Sequence, residues 1–239
     1  MAKWLKRGLD DAERREIDTA VRKTVEDAVR HAERDGDDAV RAMSVKFDGW
    51  DRDDYRLSSS EIQACVDHLT EGDLDDIRFA QAQVRNFAEI QCASMRDVEQ
   101  ETLPGVILGH KNIPMGSVGY YVPGGKYPLL ASAHMSVVTA KVAGVQRVVT
   151  CAPTFQGKPA AAIVAAQDLA GADEIFVLGE IQAIAAMAVG TASIKPVDML
   201  DCSRLCMLEG FSGHAEQANM RLRRYGHSNV QPYAAAARS

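Results

Sequence analysis

The residues best placed to touch a ligand lie in Val118-Gly-Tyr-Tyr-Val-Pro-Gly-Gly-Lys-Tyr-Pro128. An apolar, β-branched and aromatic run stops at Pro123-Gly-Gly125, as a buried strand does on entering a tight turn. Gly124 and Gly125 carry no Cβ and are free to take positive φ, so a flat ligand can lie against the main chain there. Lys126 and His134 flank the turn and offer a cation and a ring N–H to an anion. A solvated lysine and an ordinary helix histidine describe the same two residues. His110, His134 and His227 have no partner at metal-ligand spacing. Cys65, Cys92, Cys151, Cys202 and Cys206 are odd in number and form no CxxC pair, which reads as reduced thiols. Cys202 and Cys206 share one face if their segment is helical, and with no second pair they read as packing residues.

The elements around this turn follow from hydrophobic periodicity. Residues from about Asp10 to Asp35 form an amphipathic pattern, with Val21, Val25 and Val29 at four-residue spacing. Gly36-Asp-Asp interrupts it, and Ala39 to Phe47 continues as a short helix. Asp48-Gly-Trp-Asp-Arg-Asp-Asp is loop chemistry. Ser58-Ser-Ser-Glu61 fits a capping box ahead of Ile62, Cys65 and Val66. A long helix is expected from about Leu74 to Met95. Thr102 to Pro114 reads as a strand, a turn at Gly109 to Asn112, and a return.

From Ser117 the texture changes. Strands to Val122, over Arg147 to Ala152 and over Glu174 to Leu178 alternate with Ala-rich helices. Those helices run over about Ala131 to Ala143, Pro159 to Ala170 and Ile181 to Val189, before a short apolar segment from Val197 to Leu200. This alternation predicts a parallel sheet with right-handed crossovers, with Gly144 and Gly171 closing helices. The fold class is therefore α/β: a helical region over 1–100, a Rossmann-like sheet half over 101–200, and a helical tail over 201–239. The Pro123-Gly-Gly125 turn belongs at the carboxyl edge of that sheet, where such folds bind ligands.

The 239 residues suffice for one large domain or two small ones, and a hydrophobic content of 46% is ordinary for a globular protein. A net charge of −6 argues against nucleic acid and anionic membranes as partners. The sequence has no signal-peptide pattern and no apolar run of membrane-spanning length, so a cytoplasmic location is expected.

Three stretches carry a family resemblance: Gly119-Tyr-Tyr-Val-Pro-Gly-Gly125, Gln182-Ala-Ile-Ala-Ala-Met-Ala-Val-Gly-Thr191 and Glu209-Gly-Phe-Ser-Gly-His214-Ala. They resemble the histidinol dehydrogenase family. Leu103 to Asn112, Gly125 to Met135 and Cys202 to His214 are worded most like its sulfopropanediol dehydrogenase branch. The resemblance implies NAD and zinc as cofactors, a small sulfonated diol or histidinol as substrate, and a homodimer. It also implies that Tyr121 and Gln182 contact the dinucleotide beside Gly124 and Gly125. Tyr121 offers a ring and a hydroxyl at a strand end, and Gln182 opens a helix whose N–H groups favour a phosphate. His214 matches a zinc-ligand histidine that reaches the other subunit's active site, and Lys126 and His134 become candidates for the sulfonate.

The sequence also departs from that family. Leu200 is followed at once by Asp201-Cys-Ser-Arg, where the family has a Gly-Pro-Gly-Asn loop and a second α/β domain. The part expected to be missing supplies the remaining zinc ligands and a Glu-His acid and base, so no catalytic residue is assigned in this chain. Gly179-Glu180 replaces the commoner Gly-Gly, placing a carboxylate where a pyrophosphate would be repelled. Three readings stand: oxidation of 2,3-dihydroxypropane-1-sulfonate to 3-sulfolactate, oxidation of histidinol, and a non-catalytic remnant that pairs with itself or with a complete homologue. The tail over 201–239 is expected to be poorly buried in a monomer, or swapped onto a partner.

Overall fold

The computed structural model describes residues 11–124 and 127–202. The chain opens with α1 (Asp11–Asp35) and α2 (Asp37–Asp48), separated by Gly36 at φ 59°. Val25, Ala28, Val29 and Ala32 bury one stripe of α1 together with Ala39 and Met43 of α2. Helix α2 ends on Gly49, whose φ 60°, ψ 24° is the left-handed stop that glycine supplies. The Ser58–Glu61 capping box starts α3 (Ser59–Asp67) as the sequence predicts. A second box, Thr70 with Asp73, starts α4 (Glu71–Ser94), so this helix begins one turn earlier than its apolar pattern indicates.

Next come β1 (Val98–Leu103) and β2 (Val106–His110), an antiparallel hairpin whose residues are all exposed. Its turn is Pro104-Gly105, with Gly105 at φ 80°, and not Gly109 to Asn112 as the sequence reading places it. Gly109 is a strand residue. A Cβ there would run into the Val98 carbonyl oxygen, so this glycine serves close backbone approach.

The main sheet follows. Its first strand is β3 (Ser117–Tyr121). One continuous helix then passes from α5 (Leu130–Ala133) through a π-helical segment (His134–Val138) into α6 (Thr139–Val142). After β4 (Arg147–Ala152) a small hairpin, β5 (Thr154–Phe155) with β6 (Lys158–Pro159), intervenes. It delays α7 (Ala161–Ala170) past Pro159, where the sequence reading starts it. Then come β7 (Glu174–Val177), α8 (Glu180–Val189) and β8 (Met199–Cys202). Cys202 is thus a strand residue, so it shares no helix face with Cys206, which lies outside the described residues.

The strand order is β7-β4-β3-β8, and every neighbouring pair is parallel. Strands β3, β4 and β7 step in one direction, while β8 returns to the far side of β3. Side-chain alternation along β3 reveals two covered faces. Val118 and Tyr120 pack with Val137 and Val138 of the π segment, whereas Tyr121 packs with Met187 of α8 and Leu200 of β8. Helices α1 and α2 lie against α8, while α3 and α4 lie against α7 and the helix holding the π segment. The helical N-terminal region therefore shares the core of the sheet: Val40 and Tyr55 sit in one cluster with Val149, Phe176 and Leu178. Among the described residues, no helix is long and apolar enough to cross a membrane.

Candidate functional site

A doubly covered parallel sheet has a crevice where successive crossovers go to opposite faces, at the carboxyl ends of the strands. Here the helix after β3 packs on one face and α8, which leads into β8, packs on the other. The crevice therefore opens between β3 and β8. Tyr121 ends β3 in register with Cys151 of β4 and Cys202 of β8, so the sheet delivers Tyr121 to this edge. The Tyr121 side chain is 6% exposed and belongs to the core cluster on the α8 face. Tyr120 points into the opposite face, where burial, with Asp201 adding to it, pushes its phenol far above the ordinary range.

Gly124 follows within three residues. Its φ is not positive, contrary to the freedom the sequence suggests. A Cβ there would stand 2.4 Å from Cδ1 at the tip of the Ile163 side chain of α7, which would have to move. Gly124 thus lies against the first turn of α7. Gly125, Lys126 and His214 lie outside the described residues.

The start of α8 follows β7, also at the carboxyl edge of the sheet but two strands away from β3. Gly179 is its N-cap, in an extended conformation at φ −71°, ψ 170°. Gln182 is only 1% exposed, and its Nε2 donates to the Asp48 carboxylate at the end of α2. The Gly179 N–H also donates to Asp48. A Cβ on Gly179 would meet both that carboxylate and Gln182 Nε2, the latter at 2.7 Å. Burial raises the Asp48 carboxyl above its ordinary value, opposed by the two donors from Gln182 and Gly179. An acidic side chain of this protein therefore takes the Gly179 N–H, next to the backbone donors that the sequence reading assigns to a phosphate. Sequence reasoning missed Asp48, because nothing local distinguishes it from a loop aspartate.

His134 lies elsewhere. It opens the π segment, is 6% exposed, and lines a concavity of about 460 Å³ with Leu69, Asp73, Asp76, Ile77 and Leu130. Gln81 Nε2 donates to the Ala166 carbonyl at 2.8 Å and stands 3.3 Å from His134 Nδ1. With the second amide N–H directed to it, Nδ1 accepts and the ring proton belongs on Nε2. Burial lowers the His134 pKa and favours the neutral ring. Asp73 and Asp76 on the same wall set a field that repels an anion such as a sulfonate.

Among the described residues, no three His, Cys, Asp or Glu side chains stand close enough to hold a metal ion. Cys65, Cys92 and Cys151 are free thiols, and burial pushes the Cys151 thiol far above the range in which it could act as a nucleophile.

The sequence profile of the histidinol dehydrogenase family matches residues 12–201. This chain belongs to that family. The match ends one residue past Leu200, the point after which the sequence reading has the chain depart from the family pattern. A protein named histidinol dehydrogenase homolog 1, from Mesorhizobium japonicum, is 64% identical over 168 residues, which are 70% of this chain and 34% of that protein. Sulfopropanediol 3-dehydrogenase from Ruegeria pomeroyi is 43% identical over 169 residues, covering 70% of this chain and 38% of that protein. The crystal structure of histidinol dehydrogenase from Elizabethkingia anophelis shares the fold, with a TM-score of 0.75 at 24% identity over 96% of this chain and 49% of that one. The chain thus spans less than half the length of each of these relatives.

Proposed function

We propose that this chain forms the dinucleotide-side half of an NAD-dependent dehydrogenase acting on a CH–OH group, with 2,3-dihydroxypropane-1-sulfonate as its substrate and 3-sulfolactate as its product. What supports this reading is that Tyr121 ends β3 at the carboxyl edge of the sheet and Gln182 stands in the first turn of α8, in a chain of this family. Tyr121, Gln182, Gly124 and Gly125 are the residues we assign to NAD, which when bound supplies a hydride acceptor. The sulfonated substrate rests on the wording of Gly125 to Met135 and on the sulfopropanediol 3-dehydrogenase relative. Lys126 is its candidate cation, and the carboxylates beside His134 weaken the case for that histidine.

The described residues do not fit zinc. In this reading residues 101–200 carry the cofactor and 1–100 frame it. Residues 201–239 carry His214 toward a metal whose other ligands come from a complete homologue, and the intact enzyme works in the cytoplasm as a homodimer. Support for pairing comes from exposed apolar surface: Phe79, Phe87 and Ile90 on α4, and Leu103, Ile107 and Leu108 on the hairpin.

The test is to titrate the purified chain with NADH and then to assay NADH formation with dihydroxypropane sulfonate and with histidinol, with and without added zinc. Binding of NADH is expected for this chain alone, and zinc-dependent turnover of the sulfonate only once a complete homologue supplies the missing acid, base and zinc ligands. Turnover of histidinol alone overturns the substrate, and absence of NADH binding overturns the dinucleotide reading.

A further inference from the structure

The start of α8, at the carboxyl edge of the sheet, is held by an internal anion, and the buried amide beside it is held by the same anion. Asp48 ends α2 and reaches α8 across 134 residues of sequence. Its carboxylate accepts from Gln182 Nε2 and from the Gly179 N–H. Gly179 leaves no space for a side chain between them. A carboxylate on those N–H groups excludes a phosphate from the same donors, by contact and by like charge. The Gln182 amide beside the start of α8 is thereby held in a fixed orientation. A fully buried amide has no solvent to align it, so its rotamer is set by the partner it has.

Resting on the dinucleotide reading above, we propose that Asp48 is a positioning residue of the cofactor site, fixing the Gln182 amide and taking the place of a phosphate at the start of α8. Asp48 does not touch the nucleotide. It acts through Gln182, and its worth to binding exists only while Gln182 is present.

The experiment is a double-mutant cycle on NADH affinity in the full chain, with Asp48→Ala, Gln182→Ala and the double variant. Asp48→Ala is expected to weaken NADH binding about tenfold, the worth of one well-placed hydrogen bond to a buried group. In the Gln182→Ala background the same change is expected to cost nothing further. Asp48→Asn, which retains an acceptor for the amide, restores most of the affinity. Asp48→Glu, which retains the charge but displaces it by one methylene, gives an intermediate loss and serves should the alanine variant not fold. Additive effects of the two alanine changes overturn the proposal, as does a loss of thermal stability with unchanged NADH affinity. A wild-type chain that binds no NADH sinks the dinucleotide reading and this inference with it. A wild-type chain that binds NADH while the Asp48 variants bind equally well sinks this inference alone.

Discussion

Asp48 and Gln182 meet through a carboxylate–amide hydrogen bond at the first turn of α8, joining the end of α2 to the rim of the sheet. The carboxylate is half-buried, and burial outweighs its two donors in raising its pKa above the ordinary value of 3.8. The folded state therefore holds the proton more tightly than the unfolded chain does. Its contribution to stability is complete below the unfolded pKa and is lost as pH rises through the folded one. In urea denaturation between about pH 3.5 and pH 7, wild type should lose stability relative to Asp48→Asn as pH rises. Parallel profiles for the two proteins would show that Asp48 does not titrate as the geometry requires.

His134 has the opposite sign. Its folded pKa is depressed by burial, so the unfolded chain binds the proton first. The stability it contributes is present above the unfolded value of 6.5 and is lost as pH falls through the lowered folded value. Protonation would also turn the Gln81 N–H and the Nδ1 N–H against each other. The change His134→Asn should flatten stability below about pH 6.5 relative to wild type. An NMR titration placing the His134 pKa at or above 6.5 would contradict this account.

Gly119 packs without a side chain beneath α8. A Cβ there would lie 2.7 Å from Met187 Sδ, 3.0 Å from Leu200 Cδ2 and 3.1 Å from Val197 Cγ2. Three groups, on α8, on β8 and on the segment before β8, must yield at once, so Gly119→Ala should cost about 1–3 kcal/mol of overpacking. Pairing it with Met187→Val should recover part of that loss. Denaturation midpoints of the single and double variants measure both effects, and a neutral Gly119→Ala would mean that α8 shifts freely on the sheet.

Arg147 ties together the amino-terminal edge of the sheet. Its Nε donates to Glu174 Oε1 at 2.6 Å and its Nη2 to Glu174 Oε2 at 3.3 Å, while further N–H groups reach the carbonyls of Lys195 and Pro196 at 3.1 Å. A lysine cannot serve this fork. We expect Arg147→Lys to cost about 2 kcal/mol, because the pair is only partly exposed and the two carbonyls lose their donors. Since this edge is opposite the crevice, NADH affinity measured on the folded fraction should stay unchanged. A large loss of affinity would mean that the two edges are coupled.

The sequence by itself determined the elements whose causes are local. The Ser58–Glu61 box, the limits of β4 at Arg147 and Ala152, and the helix stop at Gly171 are all written within a few residues. So is the alternation that makes the sheet parallel and brings the end of β3 to its carboxyl edge. Tertiary structure decided what depends on neighbours far along the chain. Gly109 lies within the hairpin ladder against the Val98 carbonyl instead of forming the turn. Gly124 lies against Ile163, and the Gln182 amide is set by Asp48. Periodicity reports which face of an element is buried. It carries no record of which distant side chain will stand against that face, and at this site that partner fixes both the charge and the orientation a ligand would meet.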